Sequence, residues 1–508
     1  MEPAKRIIVN TTAQYARAII NTCLSLYSVR LILDALGVAD YGIYAVIGGV
    51  VAMLGFITNA LVITTQRYIS YHHGRGDSDY VKILFTNSLL LHISLGILLA
   101  LILLSLKSWL FEGGILTIDS QRIDVAVKVY YITIFMLLTT IVTAPFKALF
   151  IARENIVYIS IVEICDGVIK LIFAISLAYV GSDKLLTYAS MMAIIQVLNF
   201  LAFAIYANWK FEECRLAISP HDIKRPILFQ LVGFAGWTTY GAGALATRAQ
   251  GTAVIINHFL GTTVNAAYGI AAQVNSAIFI VSAAIVNAMN PQIMKAEGSG
   301  NRQKVLALAG KESKYSAVLL SIISIPILME LPEILSVWLK EVPKDAAMFC
   351  TFTLAACLCD QLTIGLNAVN QAQGKIGVYS ILTFTPKLLN LPIAWFFLHE
   401  GFPLISIMWA YILIECFVML LRIPYLKRTA GLNVNDYLRN TILPLLPLIA
   451  ILLLISWGCT IFFHFRLRFL LTVPISIIAG IITAWEVTLN NSEREYIGSL
   501  INNRIKRR

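Results

Sequence analysis

The sequence contains few charged residues and no long polar segment. Only 13% of its 508 residues are Asp, Glu, Lys or Arg, whereas a soluble chain usually carries about 25%. The polar breaks between its apolar runs are too short to hold a soluble catalytic or nucleotide-binding domain. The motifs GxxxxGK[ST], HExxH and GxSxG are also missing, which removes the usual signals for an ATP motor, a zinc protease and a serine hydrolase.

Metal-binding and disulfide patterns are missing as well. Of the eight cysteines, most lie inside apolar runs, and Cys357 and Cys359 have no matching Cys or His pair nearby. We therefore expect small apolar packing residues, with no metal and no cofactor.

Apolar segments dominate what is present. The chain is 58% hydrophobic, with a mean hydropathy of +0.78, and its apolar runs reach the length of about 20 residues that crosses a bilayer. The sequence therefore predicts an all-α integral membrane protein with about fourteen transmembrane helices. The predicted spans are 10–34, 41–66, 83–106, 125–146, 156–180, 185–207, 228–257, 262–290, 316–339, 347–369, 377–398, 403–425, 440–463 and 469–489.

The basic residues are distributed unevenly between the predicted loops. Of 39 Lys and Arg residues, 26 fall in the terminal segments and alternate loops of one face, eight fall on the other face and five lie inside spans. This bias predicts cytoplasmic N- and C-termini. The net charge of +11 is then explained by topology and contact with membrane lipids, so we expect no nucleic-acid partner.

The chain repeats itself after 224 residues. LGVADYGIYA at 36–45 aligns with LGTTVNAAYG at 260–269, and a gap-free alignment over residues 36–77 contains nine identities in 42 positions. Six spans separate the copies, so both cross the membrane in the same direction, as in parallel repeats around a central cavity. The predicted parts are an N-terminal six-helix lobe (1–207), a cytoplasmic linker (208–226), a C-terminal six-helix lobe (227–426) and an extra helix pair with a basic tail (427–508).

Three features resemble those of a known family: this arrangement of spans, an arginine in the first span, and the stretch ALGVADYGIYAVIGGV at the second. They are similar to the polysaccharide (O-antigen type) flippases of the MATE-like multidrug/oligosaccharidyl-lipid/polysaccharide exporter superfamily. The resemblance implies alternating access that moves a lipid-diphosphate-linked oligosaccharide across the bacterial cytoplasmic membrane. It also implies work alongside other polysaccharide-assembly proteins.

Polar residues recur on one face of the second and eighth spans. Asn59 and Gln66 share a helical face in the first copy, and Tyr268 and Asn275 do so in the second. Amides and tyrosines can hydrogen-bond sugar hydroxyls, while small and polar residues also pack helices together. Both interpretations, cavity lining and helix packing, are open at this point.

Three arginines lie inside spans, where a charge usually faces the bundle interior or water. Arg17 and Arg248 are on the first and seventh spans, where two guanidiniums could hold a diphosphate bidentately. The alternative is a structural pair with a buried carboxylate. Arg30 lies nearer a span end, where snorkelling to the interface is an alternative to substrate binding.

Acidic residues and lysines also occur at mid-span. Glu163, Asp166 and Lys170 form one stripe on the fifth span, and Asp360, Lys387 and Glu415 lie on the tenth, eleventh and twelfth. Each group is either a neutral structural strut or a site where a carboxylate binds H⁺ or Na⁺ and couples transport. The sequence alone does not choose between them.

Three functions other than flipping also fit a chain of this kind. An H⁺- or Na⁺-coupled multidrug or metabolite exporter of the same superfamily is the nearest alternative. A membrane polysaccharide polymerase or ligase would need a large outer loop with catalytic Arg, His or Asp, and the longest one before the linker, at 107–124, has no such cluster. A scaffold for other synthesis enzymes is a further alternative. We therefore expect a transporter rather than an enzyme.

Overall fold

The computed structural model describes residues 3–52, 54–111, 118–214, 222–339, 342–465, 467–491 and 493–495. These residues form helices and connecting turns, without a β-strand among them, which confirms the predicted all-α class. The α-helices are α1 (Pro3–Ala52), α2 (Gly55–Arg75), α3 (Ser78–Ser105), α4 (Lys107–Phe111), α5 (Ile123–Ala152), α6 (Ile156–Ser176), α7 (Lys184–Lys210), α8 (Arg225–Gly298), α9 (Arg302–Met329), α10 (Leu331–Trp338), α11 (Ala346–Gln361), α12 (Ile364–Gln373), α13 (Ile376–Leu388), α14 (Asn390–His399), α15 (Leu404–Ala430), α16 (Val434–Tyr437), α17 (Leu445–Phe462) and α18 (Phe469–Thr483).

Most predicted spans correspond to helices of membrane-spanning length and composition. Among the described residues there are 10 such helices, or 11 if α11 and α12, bent by 49° at a short break, count as one span. The remaining predicted spans are also helical: 41–66 is divided between α1 and α2, 156–180 lies mainly in α6, and 228–257 is the first part of α8. The prediction of many apolar spanning helices is thus confirmed.

The ninth span is shifted from its predicted position. The sequence predicts 316–339, whereas α9 runs from Arg302 to Met329 and a separate helix begins at Leu331. Pro332 in the first turn of α10 fits this new start, because the N–H that proline lacks would have no partner within the helix at that position. The first half of α9 contains several charged residues, two of which, Glu312 and Lys314, are buried. A hydropathy plot assigns such a segment to a loop.

The internal repeat is present in the backbone. Gly37 (φ 77°, ψ 167°) interrupts α1, and Gly261, 224 residues later, interrupts α8 with nearly the same angles (φ 81°, ψ −178°). Gly76 and Gly300, again 224 residues apart, have φ of 81° and 75° at the ends of α2 and α8. A side chain makes positive φ costly. The repeated glycines therefore place matching breaks in both halves.

The chain forms two compact units, each described here on its own. The first unit runs from Ile8 to Ala242, and the second contains Gly243 and the residues after it, so the boundary lies within α8. In the first unit, α3, α5 and α7 surround a core that includes Phe85, Phe146 and Phe203. The predicted lobe and linker boundaries stay predictions, and part of the linker, 215–221, lies outside the described residues.

The C-terminal helix pair belongs to the second unit, and α9 is its packing partner. Apolar residues of α9 meet those of α17 in a buried cluster that includes Ile322, Ile325, Leu448 and Leu452. At one end Arg468 binds Glu330, with 2.9 Å between Nε and Oε2. The predicted extra helix pair is thus fixed to the second unit through α9.

Candidate functional site

One carboxylate in the first unit is shared by two cations. Glu163 on α6 accepts hydrogen bonds from Arg17 on α1, at 2.7 Å, and from Lys147 on α5, at 3.1 Å. The three side chains are between a quarter and about a third exposed. We call Arg17, Lys147 and Glu163 the first charge cluster, and it has one more cation than carboxylates.

A glycine allows α1 and α6 to approach closely beside this cluster. Gly167 lies one turn after Glu163, and a Cβ built there would be 2.9 Å from Asn21 Oδ1. Asn21 itself lies one turn after Arg17. The missing side chain therefore lets the two helices come near enough for Arg17 to reach Glu163.

Lys147 is the member of this cluster that the sequence analysis missed. The predicted fourth span ends at residue 146, which places Lys147 among the basic residues of a cytoplasmic loop. However, α5 continues through Pro145 to Ala152, since membrane helices tolerate proline. The apolar residues that follow Lys147, ALFIA, could have indicated that the helix goes on.

The predicted acidic stripe of α6 divides between two sets of partners. Asp166 pairs with Lys170 at 2.7 Å, one turn along the same helix, and also accepts a hydrogen bond from Asn199 on α7 at 2.7 Å. Glu163 instead belongs to the first charge cluster. Asp166 and Lys170 therefore form a neutral pair, and Lys170 is nearly half exposed.

A larger cluster lies in the second unit. Glu415 on α15 accepts a hydrogen bond from Arg248 on α8 and forms an ion pair with Lys387 on α13, with 2.7 Å between Oε2 and Nζ. Asp360 on α11 lies 2.8 Å from Arg422 and 3.4 Å from Lys387. We call these five residues the second charge cluster. Three cations meet two carboxylates, so this cluster also has one cation in excess.

Burial and an aromatic ring define the surroundings of this second cluster. The side chains of Lys387, Glu415 and Arg422 are almost fully buried. The guanidinium of Arg248 lies 4.6 Å from the centre of the Tyr411 ring, a cation–π distance that stabilises a desolvated charge. The predicted trio of Asp360, Lys387 and Glu415 is brought together through Lys387.

Arg422 is the second residue that the sequence analysis missed. Arg422 lies near the end of the predicted span 403–425 and is counted there with the basic residues of the following loop, but α15 extends to Ala430 and buries it. Arg422 follows Glu415 by seven residues, which places both on one face after two helical turns. That spacing was a usable signal.

The predicted amide and tyrosine residues do not share one environment. In α2, Asn59 is exposed and Gln66 is buried. In α8, Tyr268 packs edge-on against Phe349, with 5.5 Å between ring centres, and Asn275 has a buried Oδ1 without a partner among the described residues. Gln66 and Tyr268 are thus at least partly packing residues.

Arg30 is exposed and forms no ion pair with any residue that the structure describes. Asp34 follows it by one turn and is exposed as well. An exposed arginine near the end of a predicted span is consistent with both predicted uses, snorkelling and contact with an anion.

A further group of ion pairs in the first unit lies beside the predicted outer loop at 107–124. Arg122 bridges Asp40 and Asp183, with 2.5 Å to each, and Asp183 also accepts a hydrogen bond from the Leu186 N–H at the start of α7. Burial alone raises the pKa of Asp183, but the hydrogen bonds from Arg122 and the backbone outweigh it and lower the pKa below its usual value. This bridge joins three helical segments.

No protein-family model and no curated protein sequence matches this chain. Its fold, however, is similar to that of solved MATE structures. One is a MATE in the straight conformation (TM-score 0.72, 14% identity, 86% of this chain and 98% of that chain covered). Another is the outward-facing conformation of a multidrug resistance MATE family transporter of the MOP superfamily (0.72, 14%, 85% and 96%).

A third similar structure is a MOP superfamily transporter from Pyrococcus furiosus, described as having a binding pocket of reverse polarity that suggests a different function (TM-score 0.70, 13% identity, 86% and 97% covered). The chain therefore has the fold of these multi-pass transporters. The MATE-like fold expected from the sequence is confirmed, and the flippase function stays a prediction.

Proposed function

We propose that this protein is an exporter that moves a lipid-diphosphate-linked oligosaccharide across the cytoplasmic membrane by alternating access. The observation that carries the proposal is the excess of one cation in each of the two charge clusters. An unpaired charge is costly away from bulk water. A diphosphate that arrives at such a cluster supplies the missing negative charge.

The first charge cluster is the better candidate for direct substrate contact. Arg17 and Lys147 are about a quarter and a third exposed, so both can reach an anion while they remain near Glu163. An arginine presents two parallel N–H donors to phosphate oxygens. In the second charge cluster only Asp360 has comparable exposure, and the other side chains are nearly enclosed.

The same charge balance argues against a cationic drug as substrate. A cation near either cluster would add like charge in surroundings of low dielectric, which raises the free energy of binding. The Pyrococcus furiosus transporter named above, whose pocket is described as having reverse polarity, suggests that pocket polarity differs between proteins of this fold. An ion-coupled exporter of other compounds is the alternative that the following experiment separates.

The experiment uses Arg17→Gln and Lys147→Gln, alone and combined, in a bacterial host whose surface polysaccharide depends on this protein. In either single variant Glu163 keeps one cationic partner, so the protein should fold. We expect each single variant to reduce export and the double variant to stop it, with the lipid-linked precursor accumulating on the inner leaflet. Arg17→Lys should rescue partly, since it keeps the charge and loses the two-pronged geometry.

Two controls interpret the result. Arg75→Gln removes an exposed arginine at the end of α2 and should leave export unchanged. Glu163→Gln keeps Arg17 and Lys147, so the lipid-linked precursor should still bind to the first charge cluster. Normal surface polysaccharide in a well-expressed double variant would refute the proposal and favour the drug or metabolite exporter.

A further inference from the structure

Glu312, on α9 in the second unit, is fully buried, and neither of its carboxylate oxygens has a hydrogen-bond partner among the described residues. The other buried acidic side chains of the second unit have partners. Those acidic residues each bind a cation: Glu330 binds Arg468, Glu415 binds Arg248 and Lys387, and Glu493 binds Lys314. Glu312 is therefore the exception that needs a physical account.

The neighbourhood of Glu312 is polar and tightly packed. One turn before it, Ala309 meets Gly365 so closely that a Cβ on the glycine would lie 2.0 Å from the Ala309 carbonyl oxygen. Next to Glu312, Ser313 Oγ accepts a hydrogen bond from the Gly365 N–H at 2.9 Å and lies 3.0 Å from the Tyr437 hydroxyl. Tyr437 is near enough to interact electrostatically with Glu312.

This neighbourhood lies at the break between α11 and α12. The Tyr437 hydroxyl donates to the carbonyl oxygen of Leu362, at 2.8 Å, inside the break. The side-chain amide of Gln361 is fully buried, and neither its oxygen nor its nitrogen has a partner among the described residues. In membrane proteins, helices broken in this way bring backbone carbonyls and buried polar groups to sites that bind coupling ions.

The break also connects this region to the second charge cluster. Arg422 binds the side chain of Asp360 and donates to Thr363 Oγ1 at 3.2 Å, so it holds both sides of the break. Its Nε is buried without a partner among the described residues, and Tyr437 interacts electrostatically with Arg422 as well as with Glu312. A negative charge on Glu312 would therefore offset the excess cation of that cluster.

Other ionisable groups on the elements packed against α9 are paired with another residue, are at least partly exposed, or are thiols. Asp360 is bound to Arg422 and Lys387, and Glu493 is bound to Lys314. The segment α12 contains no ionisable side chain. The remaining ones on these elements are Glu333, Cys350, Cys357, Cys359, Asp436, Arg439, Cys459 and Glu486.

We propose that Glu312 is a proton-binding site that takes up and releases a proton as the transporter changes conformation. A carboxylate left ionised and unpaired in the interior is strongly unfavourable, so Glu312 holds a proton in this conformation. In the alternative conformation, release of that proton leaves a negative charge on Glu312 that offsets the excess cation of the second charge cluster. This inference rests on the proposed transport function and adds its energy coupling.

Infrared difference spectroscopy of the purified protein in lipid nanodiscs tests the inference directly. We expect a carbonyl stretch from a protonated carboxyl group that disappears as the pH is raised and that Glu312→Gln removes. Glu312→Asp should shift the band instead. The control Glu400→Gln changes an exposed carboxylate after α14 and should leave the band in place.

Several outcomes decide the matter. Absence of a Glu312-dependent band, or a band that stays constant at every pH at which the protein remains folded, overturns the proposal. The proposal is also overturned if the Glu312→Gln protein exports with the same pH dependence as the unchanged protein. If the Arg17 and Lys147 variants export normally while the band still titrates, the proposed substrate fails and the proton site stands.

Discussion

Glu415 is the carboxylate on which the balance of the second charge cluster depends. Its side chain is buried and forms ion pairs with Arg248 and Lys387. Glu415→Gln keeps the shape of the side chain and removes its charge. Lys387 still has Asp360 at 3.4 Å, so Arg248 is the residue that loses its carboxylate partner.

The expected loss of stability follows from these contacts. Breaking a buried ion pair from one side costs about 3–5 kcal/mol, because the remaining charge is buried without compensation. We therefore expect Glu415→Gln to lower the free energy of unfolding by about 3–5 kcal/mol. Adding Arg248→Met removes the stranded charge and should bring stability back to within about 1 kcal/mol of the unchanged protein.

Denaturant titration in detergent, followed by the fluorescence of the eight tryptophans, measures these differences. The matched control is Lys170→Gln, because Lys170 is nearly half exposed and its pair with Asp166 should contribute less than about 1 kcal/mol. A Glu415→Gln protein as stable as the unchanged one would refute the reasoning. A double variant less stable than Glu415→Gln alone would refute it too.

Two further predictions concern the repeat. Gly37→Ala and Gly261→Ala should each destabilise the protein by about 1 kcal/mol or more, because alanine resists positive φ. Gly42→Ala, at a helical position with open space for a Cβ, is the control, and a gain in stability at Gly37 or Gly261 would contradict the argument. Reporter fusions at Cys214 and Lys304 should both report the cytoplasm and one at Val342 the outer side. Finding Cys214 and Lys304 on opposite faces would show that the repeats are not parallel.

The helices were predictable from local properties, whereas their exact ends were not. Apolar runs of spanning length and the glycines at 37 and 261 are visible in the sequence, and both features recur in the structure. Lys147, Arg422 and the first half of α9 were misplaced because a buried charge in a helix looks like a loop residue when hydropathy alone is read. Glu312 was overlooked for the same reason.

The sequence by itself determined that this chain is helical, lies in a membrane and repeats its glycine breaks, because hydropathy and backbone conformation act over a few turns. The tertiary structure alone decided which cation meets which carboxylate. Arg17 and Glu163 are 146 residues apart, and Arg248 and Glu415 are 167 apart. Contacts over such separations depend on which helix faces pack together, as where Gly167 lets α1 approach α6. The excess cation in each cluster appeared only once those faces were known.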